Sequence, residues 1–74
     1  MIIYLIIETD EHESQQSAVL LGLSSTKAIA QVMYWNAEKS KSDDSVVAMY
    51  EAETGILHEN GLLNNATKIK STNQ

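Results

Sequence analysis

The chain predicts a small α+β domain, an antiparallel β-sheet ordered hairpin–helix–hairpin (ββαββ) with one α-helix packed on one face. Three observations carry that reading. Met1–Ile7 is apolar at every position, Ser24-Ser25-Thr26 places hydroxyls ahead of the one well-formed helical segment, and further short apolar runs follow that helix. Seventy-four residues make one domain, near the lower limit at which a chain buries enough surface to fold alone.

The first strand is Met1–Glu8. Side chains alternate along a strand, so Ile3, Leu5 and Ile7 share one face while Ile2, Tyr4 and Ile6 share the other. A half-solvated strand would place a polar residue at every second position, and this one places none. Both faces therefore call for cover, and a single helix covers one. Leaving the second face wet would forfeit roughly 1.5–3 kcal/mol per side chain. A domain of this size is worth roughly 4–11 kcal/mol in all. The uncovered face is that of Ile2, Tyr4 and Ile6 or the alternate row; the expectation is that a second copy of the chain covers it, making a homodimer with Ile2, Tyr4 and Ile6 as contact residues.

Thr9–Ser17 is polar throughout and reads as a mobile connection. Ala18–Leu23 follows as a second strand, with Gly22 marking a bulge or a close approach by the helix. The hydroxyls of Ser24, Ser25 and Thr26 suit a helix start, and the helix is expected from about Ser25 to Glu38 or Lys39. Ala28, Ile29, Val32 and Met33, extended by Trp35 and Asn36, form the stripe expected to lie on the sheet. Lys27, Gln31, Tyr34 and Glu38 fall on the other side, so Tyr34 is expected to project outwards as a partner contact while Trp35 closes the core.

Ser40–Asp44 ends the helix by composition. Ser45–Ala52 is the third strand, with Val47 and Met49 on one face and Val46, Ala48 and Tyr50 on the other. Glu53-Thr54-Gly55 reads as a turn, Ile56–Glu59 as a fourth strand, Asn60-Gly61 as a two-residue hairpin turn, and Leu62-Leu63 as a further stub. The domain is thus expected over residues 1–64, with 65–74 a frayed or disordered tail.

Composition bounds the function. The chain has no cysteine, hence no disulfide and no thiolate metal site. With five lysines, no arginine and a formal charge of −5, it lacks the equipment for gripping phosphates or reading guanine edges. Direct duplex DNA binding is not expected. The apolar start has no basic n-region and is too short to cross a bilayer, so the reading is a cytoplasmic chain with no membrane association.

Glu8, Asp10, Glu11, His12 and Glu13 concentrate ionisable groups, but their spacing fits no calcium loop, and a solvated acidic loop is the better reading. His12 and His58 lack a G-x-S-x-G elbow or an evident third group. Ser24 and Ser25 are better explained at a helix start, and Gly22, Gly55 and Gly61 are too far apart to cradle a phosphate. No catalytic residue, cofactor or metal is expected, and the chain does not read as an enzyme. The carboxylates of Glu11, Glu13, Asp43 and Asp44 join the expected partner-binding set, since ordered acidic groups can occupy a groove built for nucleic acid.

The series IYLIIE, a polar loop, LSSTKAIA opening a helix, and then VVAMYEAETGIL resembles small phage-encoded ββαββ proteins. Within that group the chain is most similar to the anti-CRISPR inhibitors of type I-F surveillance complexes, over about Ile2–Gly61. The resemblance implies a non-enzymatic binder that occupies the crRNA–DNA pathway on a CRISPR–Cas complex. Basic contact residues of such inhibitors have no counterpart in this acidic chain, so the fold and the binding role carry over and the contact set does not. The alternative is a structural or accessory subunit joining a larger assembly through its apolar sheet face.

Overall fold

A computed structural model describes residues 1–53 and 66–73. It contains β1 (Ile2–Asp10), a single 3₁₀ turn (Gln15–Ser17), β2 (Val19–Ser24), α1 (Lys27–Ser40), β3 (Ser45–Glu53) and β4 (Thr67–Ser71). The four strands form one antiparallel sheet in the order β2-β1-β3-β4, with α1 on one face. This is the α+β, ββαββ architecture that the sequence predicts.

β1 is unbroken in apolar residues because it is an interior strand, paired with β2 on one side and β3 on the other. Its register with β3 sets Ile6 opposite Met49 and Glu8 opposite Val47, and these residues face the helix. There they pack with Ala30 and Tyr34, and with Tyr4, Met33 and Ala37 at the margin. Positions 30, 33, 34 and 37 have the i, i+3, i+4, i+7 spacing of one helical face.

The expected stripe is therefore displaced. Ile29, Val32 and Trp35 are exposed, and Tyr34, expected to point outwards, is 3% exposed. The reason is clearance. Gly22 on β2 sits so close beneath α1 that a Cβ on it would collide with the Met33 sulfur. At that approach alanines fit where isoleucine and tryptophan would not. Gly22 also lies beside a bulge, since Ile6 pairs with Gly22 but Ile7 pairs with Leu20, leaving Leu21 as the extra residue. Close approach and bulge thus coincide.

On the second face Leu5 and Ile7 are fully buried and Ile3 nearly so, within a single chain. That finding overturns the argument that this face needs a second copy. Ala18, Tyr50, Ala52 and Ala66 pack there. The connection from β1 to β2 also bends back over that side: Glu13 reaches Lys68 and Asn73, although β4 lies two strands away from β1. Beneath it Thr9, Val46, Ala48 and Ser71 are buried.

The connection is ordered by its own polar groups. Asp10 accepts from the backbone amides of His12 and Ser14, both at 3.1 Å, and from the Ser14 hydroxyl at 3.0 Å. Ser17 Oγ accepts from Asp10 N at 2.9 Å and donates to Ser14 O at 2.8 Å. This is an Asx-type turn continued by a serine turn, so polar composition here encodes a folded loop rather than a mobile one.

Two boundaries are also corrected. The helix begins at Lys27, and Thr26 makes no capping bond through its side chain. Ser24 Oγ instead braces the residue ahead of the helix, accepting from Thr26 N at 3.0 Å and donating to Thr26 O at 3.1 Å. At the other end, Thr67–Ser71 pairs with β3 where a frayed tail was expected, and the Thr72 amide bonds to Val47 O at 2.9 Å to extend the ladder. The ordered body therefore includes the end of the chain as far as Asn73. The strand expected at Ile56–Glu59, the Asn60-Gly61 turn and the Leu62-Leu63 stub lie outside the described residues. Among the described residues no helix is long and apolar enough to cross a membrane.

Candidate interaction surface

The two edges of the sheet differ in chemistry, and the difference defines the candidate site. β4 reads TKIKS and carries a lysine toward each face. Lys70 sits on the helix side with its Nζ 5.1 Å from the centre of the Tyr34 ring, a cation–π contact. With its amide oxygen turned toward the donors, Gln31 accepts from Lys70 Nζ at 2.7 Å and from Trp35 Nε1 at 3.2 Å. Lys68, on the other face, pairs with Glu13 at 2.8 Å. Lysines on an outer strand discourage pairing with another chain.

β2 reads VLLGLS and has no charge at all. Val19, Leu20, Leu21 and Leu23 are each about half exposed along it. Beside it runs the solvent side of α1, with Ile29, Val32 and Trp35 similarly exposed. The first two lie toward β2, because Met33 meets Gly22 on β2 whereas Tyr34 lies under Lys70 on β4. Ile29 is one turn before Met33, and Val32 lies a further step around the helix away from Tyr34. An uncharged terminal strand thus lies along the same side of the domain as an apolar helix flank, with Leu20 and Leu23 on the sheet face away from the helix.

The expected contact residues are scattered by comparison. Ile6 is fully buried under the helix, Tyr34 is part of the same core, and Tyr4 is half-buried against it, so none of the three presents a contact surface. Burial pushes the Tyr34 phenol above its ordinary pKa, with a smaller contribution from Glu38. Ile2 is partly exposed at the start of β1, far from the acidic loop. Of the carboxylates, Asp43 and Asp44 are exposed in the turn between α1 and β3, and Glu11 is exposed beside His12 at 3.5 Å.

Glu13 is committed to the fold. Lys68 and Asn73 bond to it at 2.8 and 3.0 Å, and these bonds hold its carboxyl below the usual glutamate pKa, the lysine bond contributing most. The same contact raises the Lys68 ammonium. Asp10 is likewise lowered, chiefly by the Ser14 amide.

A depressed carboxyl contributes stability above its unfolded pKa and loses it as pH falls through the folded value. The raised lysine contributes below its unfolded pKa, and that contribution disappears only as pH rises through the folded value. Glu13→Gln is therefore expected to cost up to about 1 kcal/mol near neutrality, as an exposed pair does. Urea midpoints for the two proteins should converge as pH falls below the ordinary glutamate range and through the depressed Glu13 value. A gap that stays constant into acid would show that Glu13 acts by packing alone.

A hollow of about 310 Å³ is lined by Glu8, Thr9, Asp10, Ser17, Val19, Ser42, Asp44 and Ser45. It brings three carboxylates to one end of the sheet, but Asp10 spends its oxygens on the loop. Among the described residues no group of three His, Cys, Asp or Glu side chains is placed to hold a metal ion. His12 is exposed and its neighbour is Glu11; His58 lies outside the described residues. Comparison of the chain with protein-family models, with curated proteins and with solved structures found no match.

The β2 surface was missed because the sequence shows an apolar run without showing its place in the sheet. One signal was available. A strand apolar on both faces, such as β1, belongs in the interior of a sheet, which leaves its sequence neighbour AVLLGL free to be an edge.

Proposed function

We propose that this chain is a small acidic, non-enzymatic binding protein that acts by docking on another protein. In the form its resemblance implies, it is a phage or mobile-element inhibitor of a host nucleic-acid-handling complex of the CRISPR–Cas kind, working in the bacterial cytoplasm. The observation that carries the binding role is the uncharged strand β2, whose Val19, Leu20, Leu21 and Leu23 are each about half exposed, together with exposed Ile29 and Val32 on α1. Exposed apolar side chains gathered along one uncharged strand support an interaction site.

Titration into a purified type I-F surveillance complex tests the inhibitor form. Target-DNA binding, followed by a fluorescent duplex, is expected to fall in proportion to added protein and to stop at a fixed ratio of protein to complex. DNA binding that persists in the presence of excess protein would overturn the inhibitor form. Loss of binding at trace protein, growing with time, would instead indicate catalysis and overturn the non-enzymatic reading. The alternative, a structural or accessory subunit of a larger assembly, is favoured by the exposed side chains of β2, the terminal strand of the sheet among the described residues, although not by the sheet face first expected to carry it.

A further inference from the structure

We propose that β4 is a latched strand, which lifts from β3 and closes again as one unit while the rest of the sheet stays folded, with Glu13 of the β1–β2 connection as its clasp. The observation that carries this is how little side-chain burial holds the strand. Along Thr67–Ser71 only Ser71 is buried, and Thr67, Lys68 and Ile69 are exposed. Among the described residues neither apolar cluster contains a residue of β4, whereas β1 and β3 supply most of both. The pairing is also interrupted. Met49 faces Lys70 but Tyr50 faces Lys68, which leaves Ile69 as an extra residue in the ladder.

Polar contacts stand in for the missing packing. Lys68 Nζ and Asn73 Nδ2 donate to the two carboxylate oxygens of Glu13 at 2.8 and 3.0 Å. Lys70 reaches the Gln31 amide oxygen and the Tyr34 ring. The Thr72 amide donates to Val47 O, and Thr72 Oγ1 accepts from Val47 N at 3.1 Å. Bonds of this kind are exchanged for bonds to water when the strand lifts, so opening costs far less than exposing Leu5, Ile6 or Ile7. Closure of the clasp therefore governs access to the outer edge of β3.

The β1–β2 connection is shaped to present that clasp. The Glu13 amide donates to Asp10 O at 2.9 Å, and Glu13 takes a φ of 54°, in the left-handed region that costs a residue other than glycine. Asp10, through its bonds to the His12 and Ser14 amides, holds the turn in which this conformation persists. The strained residue is thus the one whose carboxylate bridges to the C-terminal strand.

Amide hydrogen exchange followed by nuclear magnetic resonance, from zero to sub-denaturing urea, tests this. After correction for intrinsic rates, the amides bonded between β3 and β4, with Thr72 and Val47 among them, are expected to exchange as a group. They should do so at least tenfold faster than the β1 amides bonded to β3, and with a weaker urea dependence. Glu13→Gln should speed the β4 group roughly two- to fivefold. Ile7→Val, in the core and away from β4, discriminates local from global opening. It should speed the β1 group roughly two- to tenfold and leave the β4 group unchanged. A common rate and urea slope for both groups would overturn the proposal, as would equal acceleration of both by Ile7→Val. So would a β4 group that exchanges no faster in Glu13→Gln.

Discussion

Tyr34→Ala is expected to leave much of the chain unfolded at room temperature, whereas Trp35→Ala, one position further on, should barely move the unfolding midpoint. The two aromatic residues differ in burial, at 3% and 52% exposed. Tyr34 fills the space between Ile6, Ala30, Val47 and Met49, and Lys70 closes its outer side. Truncating a buried aromatic ring costs about 3–5 kcal/mol, through lost transfer energy and the cavity left behind. Against a total of roughly 4–11 kcal/mol, that is a large fraction. Trp35 already spends half its surface in water, and its loss should cost no more than about 1 kcal/mol. Urea titrations of both variants followed by circular dichroism check the pair. If Trp35→Ala proved the more damaging, α1 would have to be turned by about 100°, one residue's rotation, from the orientation described.

The helix illustrates where sequence reasoning succeeds and where it stops. Its existence, its approximate ends and its place on one face of the sheet follow from Ser24–Thr26, the length of the periodic stretch and the flanking strands. Its rotation does not follow. Two faces compete: Ile29, Val32 and Trp35 are more hydrophobic, while Ala30, Met33, Tyr34 and Ala37 are better shaped for a close approach to Gly22 and Met49. Hydropathy selects the first face and steric fit selects the second. Whether fit prevails depends on how near the sheet lies, which is a tertiary fact.

β4 was illegible for a related reason. Edge strands need few buried side chains, and TKIKS buries Ser71 while Ile69 remains partly exposed. Its lysines, which in composition resemble a solvated tail, are what an edge requires. The acidic loop hid its order in the same way, because Asp10, Ser14 and Ser17 bond to one another at spacings that a polar count ignores. For the candidate site, the residue types were visible and the strand order that exposes them was not.

Leu5→Asp should unfold the chain at every protein concentration. Leu5 and Ile7 lie on the face away from the helix, and if that face awaited a second copy an aspartate at Leu5 would yield a folded monomer whose dimer contact alone was lost. The structure places Leu5 at 0% exposed in a single chain, packed with Ile3, Ile7 and Ala52. An unpaired carboxylate there carries a desolvation penalty of several kcal/mol, added to about 2–5 kcal/mol for the lost leucine. Together these are comparable to the whole stability of a domain this small, roughly 4–11 kcal/mol. Leu23 supplies the control, because it is the register partner of Leu5 on the same face but is 50% exposed on the edge strand. Leu23→Asp should therefore retain a dispersed amide spectrum while Leu5→Asp collapses it. A well-dispersed spectrum from Leu5→Asp would show that the second face is open after all. The contrast between these paired residues also locates where burial on that face gives way to solvent, between β1 and β2, so the cost of a buried charge should fall steeply across a single strand spacing.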